Sequence, residues 1–413
     1  MDKIVKPFKY NHSFNVNASK SYAQRALLLS AISVGESHLT HIDDSKDVHA
    51  MLRCIRDLGA DVQEFSPTEF RIKPAKIKGI DKLVLNVGES GLALHLLAFV
   101  GTLFSCDFSL IGEGTLLNRS QKKLISLLEQ IGFHVSHKNY QLPLRICGEI
   151  NSKIIEFDAS DSSQEVSAML MTFPLLKEAT VLKLISPVSK PYIEMTLDIM
   201  ERFGIQVMQK NDAFYFPGNQ SYLGISYAVE GDWSSAAAHI VGAQISGQLK
   251  LSGLNPNSLQ ADKIILEVIK LTGGKYKFDG STLIVQKAEK TNPFKFDILN
   301  CPDLFPVLII LACASNGCSQ ISGIHRLFNK ESNRLTSVQE MLLRFVVECQ
   351  VVQDTIFIHG KEKVRPAEID SYNDHRIVMA ATIAVTISNG PIKIINAESI
   401  NKSYPAFFDT ILA

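Results

Sequence analysis

Residues 55–74 read IRDLGADVQEFSPTEFRIKP, and the pattern of this stretch returns along the chain. A helical apolar segment ends at Gly59, and two short alternating strands follow. The same order of signals appears in LEQIGFHVSHKNYQLPLRICG (128–148, at Gly132), MERFGIQVMQKNDAFYFPG (200–218, at Gly204) and IKLTGGKYKFDGSTLIVQK (269–287, at Gly273). A glycine after a helix takes the left-handed cap conformation without a Cβ clash. The residues beyond it alternate as half-buried strands do. Successive glycines are 73, 72 and 69 residues apart. A fifth copy, MLLRFVVECQVVQDTIFIHG (341–360), carries Val346 where the others have glycine, 73 residues after Gly273.

A fixed period marks a repeated supersecondary unit. A period of roughly 70 residues leaves room for about two helices and several strands, more than common solenoid repeats hold. The chain ends in a sixth helical stretch, YPAFFDTILA (404–413), with no hairpin after it. The N-terminal IVKPFKYNHSFNV (4–16) alternates apolar and polar residues and is expected to supply the missing strands. Six units, the last closed by both chain ends, divide into two domains of three, and only one domain is then continuous. Chance recurrence of glycine-capped helix–hairpin signals in an α+β protein is the competing account, and the near-constant spacing speaks against it.

Composition bounds the rest. At roughly 150 residues per domain, 413 residues suggest two or three domains. A chain 46% hydrophobic and 20% charged is neither fibrous, disordered nor coiled coil. The 42 Lys+Arg balance the 42 Asp+Glu, so no global charge draws the protein to nucleic acid or membrane. The longest apolar run, Phe305 to Ala314, contains Pro306 and falls short of a membrane span. The opening MDKIVKPFKYNHSF has neither a signal-peptide core nor transit-peptide character, so a cytoplasmic protein is expected. The seven scattered cysteines form no CxxC pair and read as free thiols of a reducing compartment. His and Cys lack metal-ligand spacing, and no structural zinc is expected.

Polar residues gather where helices start. Asn17-Ala18-Ser19-Lys20-Ser21 feeds a helix at YAQRALLLSAI, with Arg25 one turn further on the same side. Free N–H groups, a hydroxyl and two cations suit a phosphate or carboxylate there, although Ser-Lys-Ser before a helix is ordinarily just a cap. Val87-Gly88-Glu89-Ser90-Gly91-Leu92 joins a strand-like LVLNV to an apolar helix, a turn whose amides can approach an anion. It lacks Walker or dinucleotide spacing and reads equally well as a plain tight turn. Ser160-Asp161-Ser162-Ser163-Gln164, Asn118-Arg119-Ser120 and Ser189-Lys190-Pro191-Tyr192 open further helices. Several such starts at equivalent repeat positions suggest helix ends converging on one cleft. The second half adds Asp303 in CPDLFP, Lys330-Glu331-Ser332-Asn333-Arg334, Asp374-His375-Arg376 in YNDHR, and Lys402 in NKSYP. Lys330, Glu331 and Arg334 alone would pass for a solvated helix face. Together the cations can hold two anionic substrates, supplying orientation and electrostatic stabilisation.

These motifs, in this order, resemble the 5-enolpyruvylshikimate-3-phosphate synthase family of enolpyruvyl transferases: SKSYAQRALLLSA, GESGLALHLL, SDSSQEVSAMLM, SKPYIEMT, EGDWSSAA, PDLFP, NKESNR, YNDHR and NKSYPAFF. The resemblance covers essentially the whole chain. It implies an inside-out α/β fold of two domains, each of three βαβαββ units, with the active site in the interdomain cleft. The continuous domain would run over 18–231, and the discontinuous one would join 1–17 to 232–413. The implied reaction transfers enolpyruvyl from phosphoenolpyruvate to the 5-hydroxyl of shikimate 3-phosphate, through a tetrahedral intermediate, with release of phosphate and no metal or organic cofactor. It belongs to the shikimate pathway of aromatic amino acid biosynthesis. A monomer is expected, with these small molecules as its only partners.

By the same resemblance, Ser21, Arg25, Ser162, Ser163, Gln164, Ser189 and Tyr192 would hold shikimate 3-phosphate, together with Asp303 and Lys330. Lys20, Gly91, Arg119, Gln164, Arg334, Arg376 and Lys402 would form the phosphoenolpyruvate site. Asp303 would accept the 5-hydroxyl proton, Glu331 would be the acid/base at C3, and Lys20, Lys330 and His375 would assist proton transfer or stabilise charge. Two carboxylates among seven cations suit two phosphates and a carboxylate, and the cations would keep Asp303 ionised. The chain departs from the family pattern in four places. The loop NAGTxxR becomes Glu89–His95, with His95 at the arginine position. Ser120 follows Arg119 where proline is usual, Asn333 replaces an acidic residue, and the fifth repeat lacks its glycine. Glyphosate mimics phosphoenolpyruvate in this family, and Gly91 leaves room for it, so sensitivity is expected. Two alternatives stay open at this stage. One is a non-catalytic relative that binds the ligands without turnover, suggested by His95 and Asn333. The other is a UDP-N-acetylglucosamine enolpyruvyl transferase, disfavoured by the absence of Cys between Cys106 and Cys147 and by SSQ and SKPY.

Overall fold

A computed structural model describes residues 1–77 and 79–412. The chain divides into two compact units, Ala18–Val229 and Met1–Asn17 with Glu230–Ala413. The second crossover falls two residues before the one read from sequence, for a local reason. The Val229 N–H donates to the Thr40 carbonyl, whereas the Gly231 N–H donates to Gly253 and the Asp232 N–H to Asn17.

Each unit contains three small mixed sheets of one recurrent design. In the continuous unit, Leu83–Asn86 runs parallel to Asp107–Ile111, which pairs antiparallel with Gln141–Gly148, itself hairpin-paired with Phe133–Lys138. Ile154–Asp158, Thr180–Ile185, Ala213–Phe216 and Met208–Lys210 repeat this order. In the third sheet Ser37–Thr40, Glu69–Lys73 and Asp61–Ser66 follow the pattern, but the parallel edge strand is Ser226–Ala228, from the end of the unit. Strands alternate as the sequence does: Ile155 and Phe157 are buried, while Ile154, Glu156 and Asp158 are exposed.

The discontinuous unit uses the same plan. Lys295–Asp297, Asn316–Ser322, Thr355–Lys361 and Glu348–Val352 form one sheet. Asn11–Asn15 runs parallel to Gln248–Ser252, which continues to Thr282–Gln286 and Lys275–Asp279. The last sheet has three strands, Glu368–Asp370, Ile392–Ile395 and Lys3–Val5. The N-terminal segment therefore supplies only one of the two strands expected there. Its other strand leads a different sheet, because Pro7 separates two short strands whose partners lie far apart in sequence.

Helices fill the interior of each unit. Gly91–Val100 and Phe305–Cys313 are apolar on nearly every side, which suits burial all round. Lys20–Ala31 and Gln164–Thr172 complete the buried set of the continuous unit, and Trp233–Ser246 and His375–Ala384 that of the other. The helix-ending glycines adopt the left-handed region, with φ of 97° at Gly59, 117° at Gly132, 88° at Gly204 and 87° at Gly273. Val346 does the same, with φ 59° and ψ 41°. The fifth repeat has kept the turn and lost the residue that makes it easy.

Candidate active site

Many of the sequence-selected residues stand at helix starts, whereas Lys402 ends the short helix Ala397–Lys402 and Arg119 follows the short helix Gly114–Asn118. In the continuous unit Lys20, Gly91, Gln164 and Lys190 each open a helix. Ser19 and Ser90 cap two of these, accepting from the Tyr22 and Ala93 N–H groups. The N-terminal halves of the buried helices are tied together by side chains. Ser90 Oγ donates to Gln24 Oε1 at 2.9 Å, joining the Gly91 turn to the Lys20 helix. Arg25, only 2% exposed, donates from Nε to Thr196 Oγ1 at 2.9 Å, from Nη2 to Ser167 Oγ at 3.1 Å and from Nη1 to the Ser21 carbonyl at 3.0 Å. One guanidinium thus fixes the helices that begin near Ser21, Ser163 and Ser189. Burial lowers its pKa to about 10, still fully charged at neutral pH.

Ser162 Oγ accepts the Gln164 N–H at 3.0 Å, while Ser189, with φ 53°, precedes the helix Lys190–Arg202 that carries Tyr192. A Cβ at Gly91 would stand 3.5 Å from Arg119 Nη1 and 3.8 Å from Gln164 Oε1, so these three residues share one spot. Arg119 Nη2 donates to Thr115 Oγ1 at 3.3 Å. Lys20 Nζ pairs with Asp47 Oδ2 at 2.8 Å. His95 pairs with Glu165 at 3.4 Å. Asp47 and Glu165 are partners that the sequence reading missed. An acidic residue in the first turn of a helix looks like ordinary dipole compensation, and nothing in its neighbourhood names a cation elsewhere in the chain.

In the discontinuous unit one guanidinium organises the site. Arg334, 1% exposed, donates from Nη1 to Asp303 Oδ1 at 2.5 Å, from Nη2 to Glu331 Oε2 at 2.6 Å and from Nε to Asp374 Oδ2 at 2.8 Å. Arg376 Nη2 reaches the other Asp303 oxygen at 3.2 Å. Asp374 is the third residue missed as a partner. It caps the helix His375–Ala384 through the Arg376 N–H and also receives Ser332 Oγ at 3.2 Å. Lys402, 5% exposed, donates to the Asn373 carbonyl at 2.7 Å, and His375 is buried in the first turn beside Asp374. Asn333, where the family pattern has an acidic residue, caps the helix Arg334–Phe345 by accepting the Thr336 N–H. The orientation an acid there would give Arg334 comes from Asp303, Glu331 and Asp374.

The electrostatics follow from these contacts. Burial pushes the Asp303 carboxyl up, but Arg334, Arg376 and Lys330 outweigh it and hold it well below the usual carboxylate range. Burial opposes the charge of Arg334, and Asp374, Glu331 and Asp303 more than restore it. Burial lowers the Lys330 ammonium, against the pull of Asp303. Asp303 is an ionised carboxylate displayed with Glu331 among the cations Lys330, Arg334 and Arg376, suited to holding anions and moving a proton. Among the described residues no group of His, Cys, Asp and Glu has metal-binding geometry, and no helix is long and apolar enough to cross a membrane.

Known proteins resemble this chain over nearly its whole length. The 3-phosphoshikimate 1-carboxyvinyltransferase of Clostridium novyi is 31% identical over 98% of this chain and 95% of its own. That of Clostridium acetobutylicum is 31% identical over 98% and 96%. The solved EPSP synthase of Acinetobacter baumannii superposes with a TM-score of 0.81 at 24% identity, over 99% of this chain and 97% of that one, and speaks for the fold. The family model for EPSP synthase (3-phosphoshikimate 1-carboxyvinyltransferase) matches residues 6–411, and the chain belongs to that family.

Proposed function

We infer that this protein transfers the enolpyruvyl group of phosphoenolpyruvate to the 5-hydroxyl of shikimate 3-phosphate, releasing inorganic phosphate. The observation that carries the reading is the family match over residues 6–411, with Asp303 held as a carboxylate between Arg334 and Arg376. In this reading Ser21, Arg25, Ser162, Ser163, Ser189 and Tyr192 bind shikimate 3-phosphate, and Lys20, Gly91, Arg119, Arg334, Arg376 and Lys402 bind phosphoenolpyruvate. Gln164 borders both substrates.

Chemically, the 5-hydroxyl oxygen bonds to C2 of phosphoenolpyruvate as Asp303 takes its proton. C3 takes a proton from Glu331. The tetrahedral intermediate then returns a C3 proton to Glu331 and expels phosphate, leaving the enolpyruvyl ether. Lys20, Lys330 and His375 offset the charge that develops on the phosphate and carboxylate.

The test is phosphate release from phosphoenolpyruvate with shikimate 3-phosphate. Release should need both substrates and fall by roughly 10²–10⁴-fold in Glu331→Gln, the range for a positioned acid/base. Calorimetric binding of both substrates without release would instead identify a non-catalytic relative.

A further inference from the structure

A carboxylate that binds protons as weakly as Asp303 is a poor place to leave one. Its two oxygens face Arg334 and Arg376, so a proton taken from a hydroxyl gains little by staying. A second carboxyl lies nearby. Asp262, 1% exposed, sits in the one-turn helix Ala261–Ile264. Its Oδ2 accepts a hydrogen bond from Ser234 Oγ, and its Oδ1 is buried without a hydrogen-bond partner. Ser234 lies in the first turn of Trp233–Ser246, and Ser234, Asp303 and Arg376 line one small cavity. Three polar groups around it suit a single water.

We propose that Asp262 is the proton reservoir of the reaction, receiving through Ser234 the proton that Asp303 takes from the substrate hydroxyl. The inference rests on the enolpyruvyl-transfer reading above. The hydroxyl O–H breaks as its oxygen bonds to C2, and the proton goes to Asp303. Asp303 passes it across the cavity water to Ser234 Oγ, which releases its own hydrogen to Asp262 Oδ2. The net change is one proton moved from substrate to Asp262, whose carboxylate becomes a carboxylic acid.

The surroundings favour this role. Burial, then Asp303 and more weakly Asp232, push the Asp262 carboxyl up to about 7, against the pull of Arg376 and the Ser234 hydrogen bond. The Cys301 thiol is also close, and burial and Asp262 push it up, so it stays neutral. A group near neutrality both accepts and returns a proton readily, as an acid–base partner must.

Turnover of the unaltered protein is measured first and tests the transfer reaction by itself. The kcat–pH profile, at saturating substrates, is then compared with those of Asp262→Asn and Ser234→Ala. The unaltered protein should show an acid limb near pH 7. Asp262→Asn should lower kcat roughly 10²-fold, keep both KM values and lose that limb. Ser234→Ala, with Asp262 intact, should move kcat and the limb the same way. A folded Asp262→Asn with normal kcat and limb overturns the proposal, as does one with raised KM and an unchanged limb. If Asp262→Asn fails to fold, a normal profile in Ser234→Ala overturns it. Infrared difference spectra between pH 6 and pH 8 need no turnover. They should show a protonated carboxyl that disappears toward pH 8, and its absence from the unaltered protein would sink the idea.

Discussion

His95 Nε2 lies 3.4 Å from Glu165 Oε1, and its Nδ1 lies 2.7 Å from the Gly91 carbonyl oxygen. A carbonyl only accepts, so Nδ1 carries a hydrogen. A carboxylate also only accepts, so Nε2 carries the second, and the ring is an imidazolium. Burial alone would lower the His95 pKa, but Glu165 outweighs burial and raises it. Burial alone would raise Glu165, but His95 outweighs it and lowers it. The histidine that replaces the family's arginine therefore remains a cation, tied to the residue beside Gln164 and to the carbonyl of the loop glycine.

The pair sets a stability window. His95 binds its proton more tightly when folded, so its contribution is complete below the unfolded value of 6.5 and is lost as pH rises through the folded one. Glu165 is the reverse, complete above 4.5 and lost as pH falls through its folded value. The pair is thus strongest between about 4.5 and 6.5. His95→Gln leaves a buried carboxylate alone and should cost about 3 kcal/mol at pH 6 in urea unfolding, less at pH 9. His95→Met with Glu165→Met should cost less than His95→Gln alone. Equal losses for the two variants would mean the contact is not an ion pair.

Arg334 sits among three carboxylates: Nη1 serves Asp303, Nη2 serves Glu331, and Nε, with Nη2 at 3.5 Å, serves Asp374. A lysine offers one point charge and cannot reproduce that fork. Arg334→Lys should lose about 3 kcal/mol of stability and most of its activity. Arg334→Met tests the sign. In the unaltered protein Asp303 is held low, so its stabilisation is present above the unfolded value of 3.8 and is lost as pH falls. Without the guanidinium the three carboxyls repel and bind protons more readily. The variant should therefore gain stability from pH 7 to pH 5, where the unaltered protein gains none from this group. Parallel urea titrations at the two pH values distinguish these slopes.

Much of the fold is legible in the sequence. Gly59, Gly132, Gly204 and Gly273 announce their turns because a left-handed helix end leaves a glycine in the sequence. The cation- and hydroxyl-rich helix starts that carry the candidate site residues are legible because they are local patterns. What stayed hidden is non-local. Nothing in KIV announces that Lys3–Val5 pairs with Ile392–Ile395, since a three-residue strand carries almost no period. Nothing in Ser226–Ala228 says that it completes a sheet begun at Ser37. Asp47, Glu165 and Asp374 each read as first-turn or capping acids, and their second role depends on which cation the fold brings to them.

Val346 shows what the eroded repeat costs. A β-branched residue in the left-handed region brings Cβ against the carbonyl oxygen, at roughly 1–2 kcal/mol. Its side chain is 53% exposed, so little packing is lost by removing it. Val346→Gly should stabilise the protein by about 1 kcal/mol, the relief of strain exceeding the entropy glycine adds to the unfolded chain. That corresponds to a rise in Tm of about 2–4 °C for a unit of this size. Val346→Ala, which keeps a Cβ, should recover less. A lower Tm for the glycine variant would show that the left-handed turn is not where the repeat is strained.

Gly91 makes the sharpest prediction about ligand choice. It opens a helix, and its added Cβ would meet Arg119 Nη1 at 3.5 Å and Gln164 Oε1 at 3.8 Å, ordinary contact distances. Gly91→Ala should therefore fold, while its methyl narrows the space beside Arg119. Phosphoenolpyruvate has two atoms between phosphorus and the carboxyl carbon, and glyphosate has three. The longer anion loses more when the spot is narrowed. Glyphosate should inhibit the unaltered protein competitively with phosphoenolpyruvate. In Gly91→Ala its inhibition constant should rise 10- to 200-fold, roughly the effect of one methylene in a tight pocket. The KM for phosphoenolpyruvate should rise less. Initial-rate inhibition with both proteins decides it, and equal rises in the two constants would place the methyl away from the ligand's ends.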